Sequence, residues 1–156
     1  MVNPQILQSE RLLDFGYGFY TTTSKEQAIR WAQKVSVRRQ LKKQVISVYD
    51  FDLLKAEKSL FVTHFEKADE SWLNFICACR SGKNINNAYD VVIGPVADDN
   101  VYTTVQLFET GVLDKDEALK RLRVEKLFDQ VLFHTERALE YCIYKETILF
   151  RGSNNG

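Results

Sequence analysis

Two periodicities alternate along the chain. Gly16-Tyr17-Gly18 runs into Phe19-Tyr20-Thr21-Thr22-Thr23, two glycines followed by aromatic and β-branched residues, which predicts a tight turn entering a short strand. Ser24 with Gln27 three residues on is a capping-box pattern. Ala28, Trp31, Ala32 and Val35 then fall on one helical face, so a helix is expected from Ser24 to about Lys42. Gln44 to Asp52 is β-branched and aromatic and reads as a strand, with Leu60 to Val62 as a short further one. Asp69 caps a helix carrying Trp72, Leu73, Phe75, Ile76 and Cys79 that ends near Gly82. Tyr89 to Ile93 reads as a strand buried on both faces, and a turn from Gly94 to Asn100 leads into a helix closed by Gly111. Asp114 with Glu117 opens a helix through Leu122, Phe128 to His134 is a strand, Thr135 caps a short helix with Ala138 and Leu139, and Ile143 to Phe150 supplies one or two final strands.

Strands scattered among helices without regular βαβ alternation predict an α+β domain. Neither a GxGxxG after a strand nor a GxxxxGK[ST] is present, which argues against a doubly wound nucleotide fold. The length of 156 residues suits one domain over 1–150, with a disordered tail over 151–156. Apolar residues at 45% and charged residues at 27% exclude wholesale disorder and a collagen-like fibre. Lys+Arg and Asp+Glu both number 21, so no general attraction to nucleic acid or anionic membrane follows from net charge. No apolar run approaches the roughly 20 residues that span a bilayer. The opening residues lack a basic region followed by an apolar stretch, so no signal peptide is expected. Cys77, Cys79 and Cys142 have neither zinc-knuckle nor CxxC spacing and read as small core residues of a cytoplasmic protein.

Candidate chemistry is sparse. There is no GxSxG, and neither His64 nor His134 has a nucleophile setting; His134 is either a general base or a satisfied residue at a strand end. Lys34, Arg38, Arg39, Lys42 and Lys43 form a solvated helix end, a nucleic-acid patch or a contact for the phosphate of a bound nucleotide. Asp98, Asp99 and Asn100 are either ligand contacts on a loop or a helix cap. Tyr20 on the strand and Trp31 on the following helix are either core residues or two walls of a slot for a flat ring.

Leu13 to Thr22 followed by Ser24 to Ala32 resembles the second motif of the ADP-ribosyltransferase superfamily, in its diphtheria-toxin/poly(ADP-ribose)-polymerase branch with a His-Tyr-Glu signature. Gly16-x-Gly18-Phe19-Tyr20 matches the family's G-x-G-[IV]-Y strand, and Trp31 falls where a second aromatic is expected. The whole chain, from about residue 3 to 145, looks like an uncharacterised bacterial family of that fold, through LDFGxGFYxTT, Ser47 to Asp52, Trp72 to Phe75, Asp90 to Asn100 and Asp129 to Leu139.

The resemblance implies a split antiparallel sheet with surrounding helices and NAD as substrate. It implies that Tyr20 stacks on the nicotinamide, Trp31 forms the opposite wall, Gly18 and the hydroxyls of Thr21 and Thr22 lie near the ring, and Gln130 takes the place of the catalytic glutamate. The implied reaction is ADP-ribosyl transfer to a protein or nucleic-acid acceptor, in a bacterial toxin or phage-defence setting with an antitoxin partner. Two departures stand out. Gln130 is an amide and cannot act as a base. The strand ending in Tyr-His-Gly-Ser that usually precedes the Asp-Phe-Gly segment is missing, which leaves the sheet an exposed edge. Both favour the alternative of a non-catalytic module binding a nucleotide or a partner protein.

Overall fold

The computed structural model describes residues 15–81, 89–96, 99–124 and 127–151. Six strands and six helices lie among them: β1 Phe19–Thr22, α1 Lys25–Arg38, β2 Lys43–Phe51, α2 Leu53–Glu57, β3 Val62–His64, α3 Glu70–Arg80, β4 Val91–Pro95, α4 Asp99–Glu109, α5 Lys115–Leu122, β5 Asp129–Phe133, α6 Glu136–Leu139 and β6 Cys142–Arg151.

The expected caps do form. Ser24, Asp69, Asp114 and Thr135 each accept from the backbone N–H three residues on, satisfying donors that a helix start leaves open. Helix α1 stops four residues short of Lys42. Gln40 takes a positive φ of 53°, and Ser36 donates to the Leu41 carbonyl, so the chain turns out of the helix and enters β2 at Lys43. Strand β3 starts two residues later than Leu60, and β4 runs on through Pro95, where a turn is expected from the glycine and proline.

The strands form two sheets. One has four strands in the order β1-β5-β4-β3; the other is the ribbon β2-β6. The expectation of an antiparallel sheet needs one correction: β3 pairs parallel with β4, Val62 opposite Val91, so the larger sheet is mixed. The segment between these two strands carries α3 as a crossover, and a crossover returns the chain in the same direction. Among the described strands β1 is an edge, paired only to β5.

Each face of the larger sheet is covered. On one face Val91, Ile93, Val131 and Phe133 meet Cys142 of β6 and the half-buried Tyr49 and Phe51 of β2, with Ala56, Leu60 and Ala138 closing the ends. The Phe51 and Phe133 rings lie edge to face, 5.0 Å between centroids. On the other face Val92 and Leu132 meet Trp72, Leu73 and Ile76 of α3, Val101 and Val105 of α4, and Ala118 and Leu122 of α5. Ribbon, sheet and helices therefore stack as three layers. No helix among the described residues is long and apolar enough to cross a membrane.

Candidate functional site

Register decides which candidate residues can meet. Tyr20 lies opposite Leu132 and Thr22 opposite Gln130 across the β1–β5 pair. Gln130 lies in turn opposite Gly94 on β4. Paired residues share a face and alternate residues repeat it, so Tyr20, Thr22 and Gln130 stand on the helix-covered face. Tyr20 and Gln130 are diagonal neighbours, a relation in which Cα atoms lie about 7–8 Å apart. Thr21, one residue out of phase and opposite Val131, stands on the face toward the ribbon. Thr21 and Thr22 therefore do not address one ligand ring together.

Most of the polar capacity here is already used. Thr21 Oγ1 donates to the Val131 carbonyl at 2.9 Å, and Thr22 Oγ1 donates to the Asp129 carbonyl at 2.8 Å while accepting from Ser24 N–H. The Tyr20 hydroxyl donates to the Gly16 carbonyl at 2.5 Å and accepts from Phe15 N–H at 3.2 Å, which pins its ring against the core beside the turn. Gly18 serves close approach: a Cβ there would stand 2.5 Å from both Leu132 Cδ1 and the Phe133 carbonyl oxygen. Trp31 is 59% exposed and has no ring contact with Tyr20. Its expected companions Ala28, Ala32 and Val35 are half-buried, so Trp31 sits at the solvent margin of their face.

Gln130 is the exception. The residue is 8% exposed, and its Nε2 is buried with no hydrogen-bond partner among the described residues. A buried N–H donor without an acceptor costs about 1–3 kcal/mol, and native structures hold few of them. An oxygen acceptor is the group that would complete this donor.

The remaining candidates are structural. His134 Nδ1–H donates to the Tyr17 carbonyl at 2.5 Å, and its ring lies 4.7 Å from that of Tyr89, so it is a satisfied strand-end residue. Burial, then the neighbouring Glu109, pushes the Cys77 thiol up to about 11, and burial raises Cys142 to about 11. No disulfide joins Cys77, Cys79 and Cys142, and neither raised thiol is a thiolate nucleophile at neutral pH. No cluster of metal-ligating side chains occurs among the described residues. Asp98 lies outside the described residues; of the tail expected over 151–156, Arg151 instead ends β6 opposite Lys43, and 152–156 lie outside the described residues.

Sequence reading missed one cluster. The Asp90 side chain is 7% exposed and accepts from Phe61 N–H at 2.9 Å, Thr135 Oγ1 at 2.7 Å and Arg137 Nη2 at 2.6 Å. Burial alone pushes its carboxyl pKa up, but these three donors together outweigh burial and hold it below the ordinary carboxylate value. The signal was a lone Asp at the head of an apolar strand; its partners lie up to 47 residues away and carry no local mark. The cluster ties the start of β4 to α6 and to the segment before β3.

A family described as "Protein of unknown function (DUF3990)" matches residues 1–144. The chain belongs to this family. No curated protein and no solved structure matches it. The DUF3990 match spans every element carrying the residues above, from the Gly16–Gly18 turn to the start of β6.

Proposed function

We propose that this chain binds NAD against the Tyr20–Gln130 face of its four-stranded sheet and transfers ADP-ribose to a protein or nucleic-acid acceptor. The observation that carries the reading is the buried, unpartnered Nε2 of Gln130. A ribose hydroxyl oxygen is the acceptor such an amide needs, and NAD supplies it next to the glycosidic bond that the reaction breaks. The half-buried Tyr20 ring on the same face offers a flat apolar surface beside it. The division of the strands into a larger sheet and a packed two-stranded ribbon supports the split-sheet fold of the ADP-ribosyltransferase superfamily.

In this reaction the nicotinamide leaves with the electron pair of its bond to the ribose anomeric carbon, and the acceptor nucleophile bonds that carbon and loses its proton. The protein's contribution is placement: Gln130 holds the sugar and Tyr20 the ring. A neutral amide does less for developing positive charge than a carboxylate, and losing one such electrostatic contact costs about 10² to 10³ in rate. Turnover is therefore slow. Trp31, exposed on α1, is not required for this placement.

A second reading, binding without turnover, is favoured by the same amide and by Thr21 and Thr22 being spent on sheet carbonyls. Both readings place the protein in the cytoplasm. The toxin or phage-defence role with an antitoxin partner belongs with the catalytic one.

The test is radiolabelled NAD incubated with the chain and lysate, beside NAD binding by calorimetry, for the parent, Tyr20→Ala and Gln130→Ala. Labelling lost in both variants supports transfer. Binding without labelling selects the second reading. If the parent neither binds nor labels, both fail; if the variants match the parent, the site assignment is wrong.

A further inference from the structure

Charge is balanced over the chain but not along it. Between Glu26 and Asp50 there is no acidic residue, while Arg30, Lys34, Arg38, Arg39, Lys42 and Lys43 are all cationic. At about 100° per residue, Arg30, Lys34 and Arg38 lie on one stripe of α1, about 80° wide. They stand opposite Ala28, Ala32, Val35 and the buried Ser36, which face the protein. Arg30 is engaged with Glu26 and with the Phe128 ring, whose centroid is 5.6 Å from its guanidinium carbon. Lys34, Arg38, Arg39, Lys42 and Lys43 are exposed and form no ion pair with a described residue. Beside the stripe stands Trp31, 59% exposed.

We infer that the outer face of α1, continued by Arg39, Lys42 and Lys43, binds single-stranded nucleic acid, with the cations on its phosphates and Trp31 stacked on a base. Charge complementarity favours a polyanion: five cations with no ion pair among the described residues release condensed counterions when they meet phosphates. The exposed indole favours a single strand over a duplex, because only unpaired bases offer an open face for stacking. An anionic membrane fits less well. An interfacial helix buries one continuous apolar face, whereas α1 packs its apolar face on the protein, and Trp31 and Val37 flank the cationic stripe on opposite sides.

Position links this surface to the proposed chemistry. Arg30 lies over Phe128, which precedes Gln130 by two residues, so one end of the stripe stands beside the start of β5. Resting on the proposed NAD site, the inference makes nucleic acid the acceptor class; binding itself does not depend on that reading.

The experiment is fluorescence anisotropy of the full chain with a labelled oligomer of twenty thymidylates over a salt series, beside calorimetry with NAD. The expected result is tight binding at low salt that weakens steeply as salt rises. The triple variant Lys34→Gln, Arg38→Gln, Arg39→Gln loses about tenfold or more in affinity, and its log–log salt slope falls by about 2. Lys34→Glu alone weakens binding, and in Trp31→Ala the quenching of tryptophan emission by the oligomer disappears. A control changing Lys120 and Arg121 of α5 and Arg123 at its C-cap to Gln binds as the parent. The inference is overturned if the parent does not bind, if the triple variant binds as the parent, if the control falls equally, or if phosphatidylserine vesicles are bound and the oligomer is not. Oligomer binding without NAD binding leaves this surface standing and removes the proposed site; NAD binding without oligomer binding does the reverse.

Discussion

Gln130→Leu separates a functional amide from a structural one, because the two make opposite predictions for stability. In the structure Gln130 is 8% exposed, and its Nε2 has lost water without gaining an acceptor among the described residues. That donor costs the fold about 1–3 kcal/mol. Leucine removes the donor and keeps an apolar side chain of similar size, at a shape cost below about 1.5 kcal/mol. The net expectation is a gain of about 1 kcal/mol, and for a chain of this length a rise in Tm of about 2–4 °C. Thermal unfolding followed by circular dichroism measures it. The same scan with NAD measures the other half. A ligand at a hundred times its Kd stabilises the folded state by about 2.7 kcal/mol, so the parent melts several degrees higher with NAD and Gln130→Leu shows no such shift. A variant that melts more than about 2 °C below the parent refutes the reasoning, since the amide then stabilises the fold. A variant that keeps the full NAD shift refutes the site.

Asp90→Ala removes the acceptor of the Phe61 amide and the Thr135 hydroxyl, for a loss of about 3 kcal/mol and a fall in Tm of about 6–12 °C by calorimetry. Because the folded-state pKa of Asp90 lies below its unfolded value, the parent's advantage is complete above the ordinary carboxylate pKa near about 4 and shrinks as pH falls through the folded one, which a melting series from pH 7 to about 2 reads directly. Gly18→Ala drives a Cβ into Leu132 and the Phe133 carbonyl and costs about 1–3 kcal/mol in urea unfolding, while Gly111→Ala, with nothing within 4 Å, pays only for its φ of +78°. Tyr20→Phe frees the Gly16 carbonyl and the Phe15 amide, costs about 1–2 kcal/mol, and raises hydrogen exchange in the Phe15–Gly18 turn.

Sequence alone determined the elements that depend on neighbours a few residues away. The Ser24, Asp69, Asp114 and Thr135 caps each act over three residues, so their helices were legible from spacing. The unbroken apolar run at Val91 to Ile93 announced a strand covered on both sides, and the residue types of β2 and β5 announced theirs. The Tyr20 and Gln130 pairing came only through resemblance, since 110 positions separate them and no local pattern joins them.

Tertiary structure decided the rest, because it turns on which distant strands pair and in what register. The β1–β5 register put Tyr20 and Gln130 on one face and sent Thr21 to the other. The three donors on Asp90 come from segments that only folding brings together. The end of α1 was set by a positive φ at Gln40 and the Ser36–Leu41 bond, which outweighed helix propensity over the last four residues. Exposure was likewise beyond pattern: the period that groups Trp31 with Ala28, Ala32 and Val35 is indifferent to where the neighbouring layer stops, and that layer stops short of Trp31.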